Sequence, residues 1–293
     1  MKTRRPLLIL GLGLLLAIQP AAASNNCDDP RPLRLALTPI KNAEIQATQY
    51  RPLIQQLEKQ LARRVELVPA PSYGTVIEGL LSDGVDLAEL GPASYAIARS
   101  RGARITPFAS FALRKPPSSE PASSYRSLLI VRRERGPDSI EGLRGASVSL
   151  TDPASTSGAI LPRQAISRLT GQSLETYFQR LSFAGSHDRA IEAVQKKRVD
   201  AAFVASSRLD EALRQGTVLA DELKIIWQSP PIPYDPFVLR DRLCPALSAR
   251  IKQVFLGETL ALQGMFDQLN VNGFIAVNGE QYREIREMFA NQN

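Results

Sequence analysis

Ser155, Thr156 and Ser157 set three hydroxyls in a row between Asp152-Pro153-Ala154 and Gly158, where a strand-like run gives way to a helical one. The run Ala146-Ser147-Val148-Ser149-Leu150 reads as a strand, and Ile160, Leu161, Ala165, Ile166 and Leu169 recur at helical spacing from Ala159 to Leu169. The hydroxyls therefore stand at a helix N-terminus, where the first backbone N–H groups lack intrahelical partners and the macrodipole is positive. Such a loop can hold a tetrahedral oxyanion without any Lys or Arg. A single serine is enough to cap a helix, so an anion site and a plain cap are both open readings of this segment.

A second feature brings two rings into the same frame. Residues 70–90 align without a gap to residues 184–204, with Ala, Ser, Ile, Glu, Val, Asp and Ala recurring at equal offsets. Each copy reads as a loop, a short amphipathic helix, a turn and a buried strand containing Val-Asp-x-Ala, which points to two similar lobes. Tyr73 and His187 occupy equivalent offsets, so each lobe can present one hydrogen-bonding ring to a shared cleft. The plainer alternatives are a half-buried tyrosine satisfying a neighbouring backbone group and a histidine capping the helix that follows. As a ligand group, His187 would make binding sensitive to pH through its titration. Asp86 and Asp200 fall inside the repeated strands and read as structural, and Trp227 reads as hinge packing.

Ser157, His187 and Asp188 or Asp152 have the residue types of a nucleophilic triad, but Asp188 follows His187 directly and would reach its far nitrogen poorly. No G-x-S-x-G elbow is present either, so a Ser-dependent hydrolase is the weaker alternative. Two cysteines and one histidine cannot furnish a standard zinc site, and no cofactor motif is seen. The net charge of +7 owes part to Lys2, Arg4 and Arg5, and the remaining basic residues are scattered without interleaved aromatics, which argues against a nucleic-acid partner.

Met1 to Ala23 has a basic start, an apolar run from Leu7 to Ile18 and an Ala21-Ala22-Ala23 cleavage pattern, so residues 1–23 read as a signal peptide and the mature chain as an exported, periplasmic protein. Ser24-Asn25-Asn26 lacks the residues that would mark Cys27 for a lipid anchor. In an oxidising compartment Cys27 and Cys244 can pair, which would put residues near 30 and near 244 in one lobe.

Strands are expected at 33–37, 65–68, 104–113, 127–131 and 223–228, and helices at 50–61, 245–262 and 279–291. Alternating strands and helices predict an α/β protein with mostly parallel sheets. The expected division is 24–122 plus 229–293 as one lobe and 123–228 as the other, with a loop over 115–121 and proline-restricted crossings near 121–128 and 226–236. In open α/β sheets ligands sit beyond the strand carboxyl ends, where Tyr73, Ser155 to Ser157 and His187 fall.

These residues resemble the periplasmic substrate-binding proteins of ABC importers for phosphonate, phosphite and related phosphorus oxyanions. The likeness covers nearly the whole mature chain and is carried by Pro71-Ser72-Tyr73, Val85-Asp86-Leu87-Ala88, the Asp152 to Gly158 segment, Ser186-His187-Asp188 and Ile232-Pro233-Tyr234-Asp235-Pro236. It implies a two-lobed clamshell of the periplasmic-binding-protein (type II-like) kind with the ligand in the cleft, acting as a monomer beside a membrane permease. It also implies that Tyr73, Ser155, Thr156, Ser157 and His187 surround phosphorus oxygens. Asp235 would correspond to an acidic residue that meets a cationic organic end, although its setting between Tyr234 and Pro236 equally suits a turn. One departure stands out: Leu90 precedes Gly91 where relatives that bind phosphonates often have tyrosine, so a pocket hydroxyl is expected to be missing. The same clamshell could also serve as a ligand-sensing module.

Overall fold

The computed structural model describes residues 27–114 and 123–290; the signal-like segment 1–23 and the loop over 115–121 lie outside the described residues. Three strand–helix units open the chain: β1 (Leu33–Leu37) with α1 (Ala43–Leu61), β2 (Val65–Val68) with α2 (Tyr73–Leu81), and β3 (Leu87–Glu89) with α3 (Pro92–Ser100). After β4 (Ile105–Leu113) the chain crosses through β5 (Ser124–Tyr125) into β6 (Ser127–Arg132). Three more units follow: β7 (Ser147–Leu150) with α4 (Leu161–Thr170) and the short α5 (Leu174–Tyr177), β8 (Arg180–Phe183) with α6 (His187–Gln195), and β9 (Ala201–Ala205) with α7 (Ser206–Arg214). The return runs through β10 (Leu223–Gln228), β11 (Ile232–Pro233) and β12 (Pro236–Arg240). The described chain then continues through α8 (Pro245–Leu256), α9 (Gln263–Leu269), β13 (Val271–Ala276) and α10 (Arg283–Ala290).

The strands form two sheets, β13-β4-β12-β3-β1-β2 and β10-β6-β9-β7-β8, while β5 and β11 pair with each other as a two-stranded ribbon on the crossing segments. The expectation of mostly parallel sheets is corrected here. Among the named strands of the described residues, β1 with β2 and β3, and β7 with β8 and β9, are parallel, and the other pairs are antiparallel. The reason lies in the crossings. β6 and β12 follow directly from the ribbon strands, at the end of each sheet where the parallel strands finish, and so run back against β9 and β3.

Helix α1 begins seven residues before the expected Tyr50. Asn42 caps it by accepting from the amides of Glu44 and Ile45, and its early turns bury Gln46 and Gln49 rather than apolar residues, so no hydrophobic period marks them. The first sheet packs Leu33, Leu35, Leu53, Leu57 and Leu61 against an aromatic group of Phe111, Phe237, Phe255 and Phe274. The second buries Leu129, Val148, Ile166 and Phe203; Trp227, on β10, packs edge-on to Phe203 within this core. Cys27 and Cys244 are joined by a disulfide, and Asp28 hydrogen-bonds to Arg242 and Cys244, which ties the start of the described chain to the turn between β12 and α8.

The sequence repeat is a repeat of structure. Ser72 and Ser186 cap α2 and α6 with nearly the same backbone, φ −145° and ψ 164° against φ −150° and ψ 163°, and their side chains accept from Thr75 and Arg189. Each helix is followed at the same offset by a left-handed residue, Asp83 at φ 57° and Lys197 at φ 58°. Asp86 and Asp200 stand just before β3 and β9 rather than inside them, and each accepts at 2.9 Å from an amide in the first two residues of the neighbouring strand, Arg34 or Ser147. The surroundings differ. Asp86 is fully buried between the guanidinium groups of Arg34 and Arg240, both at 2.8 Å, whereas the Asp200 side chain is half exposed beside Ser147.

That difference sets an expected outcome. Asp86→Ala leaves two arginines facing a hole and should cost about 3–5 kcal/mol, the range for breaking a buried ion pair. Asp200→Ala removes hydrogen bonds that water can replace and should cost about 1 kcal/mol. Urea unfolding of the two variants checks this; equal losses would refute the buried-pair account of Asp86.

Candidate functional site

Six strands lead directly into helices here, and each such helix starts at the carboxyl end of its strand. The starts converge between the two sheets on a cavity of about 20 Å³. Ile40 lies in the turn into α1, Tyr73 is the first residue of α2, and Gly91 caps α3. Ser155 and Thr156 precede α4, His187 is the first residue of α6, and Ala205, Ser207 and Arg208 belong to the start of α7. Amide dipoles from both lobes thus point toward one small space, an arrangement that favours negative charge. Tyr125, Tyr234 and Asp235, all on the crossing segments, complete the wall.

The hydroxyl loop is shaped by a π-turn over Thr156–Ile160 that precedes α4, so the expected helix from Ala159 starts with a wider turn. Ser155 is its cap, accepting from the amide of Gly158 at 3.1 Å. A side chain at Gly158 would lie 2.2 Å from the Thr151 hydroxyl, which explains the glycine after the three hydroxyls. Thr156 reaches across the cleft: its Oγ1 accepts from the Ala93 amide at 2.8 Å. Ser157 does not line the cavity. Its carbonyl accepts from Ser127, and its Oγ is buried with no hydrogen-bond partner.

Tyr73 lies against Asp152 of the other lobe through its amide, at 3.3 Å, while its own hydroxyl is buried with no hydrogen bond within 3.5 Å, although the Ser155 side chain is close enough to act on it. Burial first, then the neighbouring Asp235 and Asp152, raise its pKa well above the ordinary phenol value, so it remains a neutral donor. His187 is bound from the inside. The Ala205 amide donates to Nδ1 at 3.1 Å, with the Thr151 hydroxyl at the same distance, so Nδ1 is an acceptor and the ring proton sits on Nε2. Burial, with the charge of Arg208 second, pushes the imidazole down to about 3. This corrects the expectation of a pH-sensitive histidine: the ring is a fixed neutral donor across the physiological range. It also removes the triad, because a ring that accepts at Nδ1 cannot take an orienting carboxylate there.

Asp235 is buried in the cavity wall, and burial followed by the field of Glu89 raises its pKa well above the ordinary range, with Arg208 opposing. Its carboxyl can therefore hold a proton and donate. Glu89, which accepts from the Tyr50 hydroxyl at 2.5 Å, is pushed up to about 7 by burial. Arg208 is the cation of the site and corrects the view that the loop works without one. Burial alone would weaken its charge, but Tyr234, Glu211 and Asp188 hold the guanidinium firmly protonated. Leu90 is buried in a core cluster with Val76, Ile77 and the cavity-lining Tyr73, and does not itself line the cavity. The hydroxyls of Tyr125 and Tyr234 come instead from the crossings.

Tyr73, Ser155, Thr156, His187 and Asp235 are thus brought together, and Ser157 stands behind them. Arg208, Ser207 and the two crossing tyrosines were missed. Extending the repeat at the same offset would have found the first two, since Ser206-Ser207-Arg208 opens α7 as Pro92-Ala93-Ser94 opens α3. Tyr234 stands inside the Ile232 to Pro236 segment that carries the family resemblance, but for Tyr125 no signal exists in sequence, because a two-residue ribbon has no period.

Comparison with known proteins matches residues 35–282 to the family described as ABC transporter, phosphonate, periplasmic substrate-binding protein. The chain is 32% identical over 235 residues to a phosphate-import protein of Mycolicibacterium smegmatis, covering 77% of this chain and 71% of that one. It is 29% identical over 248 residues to the phosphonates-binding periplasmic protein of Escherichia coli, covering 82% and 70%. A binding-protein component of an ABC phosphonate transporter from Pseudomonas aeruginosa superposes with a TM-score of 0.79 at 25% identity, covering 89% of this chain and 86% of its own.

The buried imidazole is directly observable, because the chain has a single histidine. Its ring proton resonances should not titrate between pH 5 and 8; a midpoint near 6.5 would refute the buried, doubly tied ring. The sign for stability follows. The unfolded chain takes up a proton at the ordinary value of 6.5 and the folded ring only near 3, so stability should fall as pH drops below about 6.5 and keep falling to about 3.

Proposed function

The chain belongs to the family of periplasmic substrate-binding proteins of phosphonate ABC transporters, and from that premise we propose that it captures a small phosphorus oxyanion and hands it to an inner-membrane permease. The observation that carries the ligand class is the buried hydroxyl of Tyr73, which makes no close hydrogen bond, in a cavity ringed by helix N-termini. An orphaned buried hydroxyl costs about 1–3 kcal/mol. A bound oxygen atom at that position would remove the cost. Ser155, Thr156, the Nε2 proton of His187 and the Arg208 guanidinium supply further donors, and Ser157 lies within the same loop as support. Two of the similar proteins carry names that concern phosphate and phosphonates.

Asp235 supports phosphorus over sulfur. A monoprotonated phosphorus oxyanion can pair with this carboxyl in either protonation state, accepting from the neutral acid or donating its own proton to the carboxylate, whereas sulfate can only accept from the neutral acid. On this reading residues 24–122 with 229–293 form one lobe, 123–228 form the other, and 1–23 is the export signal. The ribbon of β5 and β11 is the hinge, and the bonds from Ala93 to Thr156 and from His187 to Ile40 belong to the closed form.

Phosphite, phosphate or methylphosphonate should raise the melting temperature of the protein, and sulfate much less, since a ligand confined to the folded state stabilises it. Equal responses to sulfate and all phosphorus compounds would defeat the specificity. Tyr73→Phe separates binding from folding. Its hydroxyl makes no close hydrogen bond in the protein, so the variant should melt within a few degrees of the parent, yet losing a hydrogen bond to a charged oxygen should weaken the best ligand by roughly ten- to a hundredfold. Unchanged calorimetric affinity would place the ligand elsewhere.

A further inference from the structure

Against the cavity, on the side of α7, three charged side chains are buried together. Lys41 comes from the turn between β1 and α1, on the first sheet's side, and Arg208 and Glu211 stand one turn apart on α7, on the second's. Lys41 Nζ donates to both carboxylate oxygens of Glu211, at 2.7 and 2.9 Å, and to Gln49 at 3.0 Å. Arg208 donates to Glu211 and, at 3.3 Å, to the Tyr234 hydroxyl. All three are buried.

The position of this cluster is informative. Arg208 lines the cavity of about 20 Å³, and it also lines two open grooves of about 260 and 620 Å³ on its other side. Glu211 borders both grooves without touching the cavity, and Lys41 borders the larger one. Arg208 is therefore the wall between a space fit for one compact group and spaces fit for a chain of several atoms. Glu211 fixes that wall through two charge-assisted bonds, and Lys41 fixes Glu211 from across the cleft. The other contacts across the cleft near the cavity are single hydrogen bonds, Ala93 to Thr156, Ser94 to Ala154, His187 to Ile40 and, at 3.3 Å, the Tyr73 amide to the Asp152 carboxylate, which a small shift would relax at lower cost. A buried pair of ions is different, since separating it leaves Lys41 with Gln49 and Glu211 with Arg208, in a setting where charge is costly.

We propose that Lys41, Glu211 and Arg208 form a size filter that closes with the lobes and, given the functional reading above, restricts the ligand to an oxyanion with at most a compact substituent. A longer substituent can be seated only by displacing Arg208 toward the grooves, which breaks the ion pair across the cleft. A plain latch between lobes would weaken or strengthen every ligand by the same factor. A filter changes the ratio between short and long ones.

Calorimetry with methylphosphonate and butylphosphonate reads that ratio, because the headgroup is the same and the chain alone differs. The parent should prefer methylphosphonate by about a hundredfold or more, and Lys41→Ala, which leaves Glu211 paired with Arg208, should reduce the preference by about tenfold or more. If Lys41→Ala melts below the assay temperature, Glu211→Gln, which keeps shape while removing the negative charge, makes the same comparison. A parent that binds both alike, or variants in which both affinities change by one factor, would overturn the filter while leaving the functional reading intact. A parent that binds no methylphosphonate, phosphite or phosphate overturns the functional reading, and the filter with it.

Discussion

A helix that follows a parallel strand has to start at the carboxyl end of that strand, and this constraint organises the whole molecule. It acts on three strand–helix units in each sheet, so six helix starts, with their unsatisfied amides, gather at the facing ends. Of the cavity-lining residues, those outside the crossing segments all belong to one of these starts or to the turn leading into it. The site is a consequence of how α/β units are built, and the duplicated unit supplies it in matched halves. Tyr73 and His187 are the same position of that unit, differentiated into a phenol and an imidazole.

What makes the space selective for an anion is the balance among its buried polar groups. The acids nearest the cavity, Asp235 and Glu89, are driven toward their neutral forms by burial, while Arg208 is held charged by the groups around it. His187 is kept neutral with its proton on Nε2, and Tyr73 holds its own proton. The result is a wall of donors with one fixed cation. Burying such groups is costly unless each finds a partner, and the hydroxyls of Tyr73 and Ser157 make no close hydrogen bond in the protein itself. The cavity therefore carries a polar deficit that an oxygen-rich ligand can relieve.

The same tension runs through Lys41. Burial, with Arg208 second, draws its ammonium down to about 8 even though Glu211 opposes the shift. Closing the cleft over this lysine thus works against its hydration, and the ion pair offsets only part of that cost. Such a contact adds little net stability, but it is exacting about geometry, which suits a boundary that must be in one place or the other.

The strands over 33–37 and 65–68, the helix-start position of the hydroxyl loop, the two matched units and the pairing partners Cys27 and Cys244 were all legible from residue types and spacing. These are local or periodic features, and hydrophobic period and turn chemistry act over a few residues. The early turns of α1, the antiparallel course of β6 and β12, and the roles of Tyr125, Tyr234 and Arg208 were decided only by the tertiary structure. Buried glutamines hid the first, because they are satisfied by groups distant in the chain, and the second depends on which end of a sheet the crossing chain enters. His187 shows the division within one residue. Its type and offset mark it as a cleft donor, but whether the ring titrates was settled by the Ala205 amide and by burial, since a pKa depends on contacts that exist only once both ends of the unit have folded together.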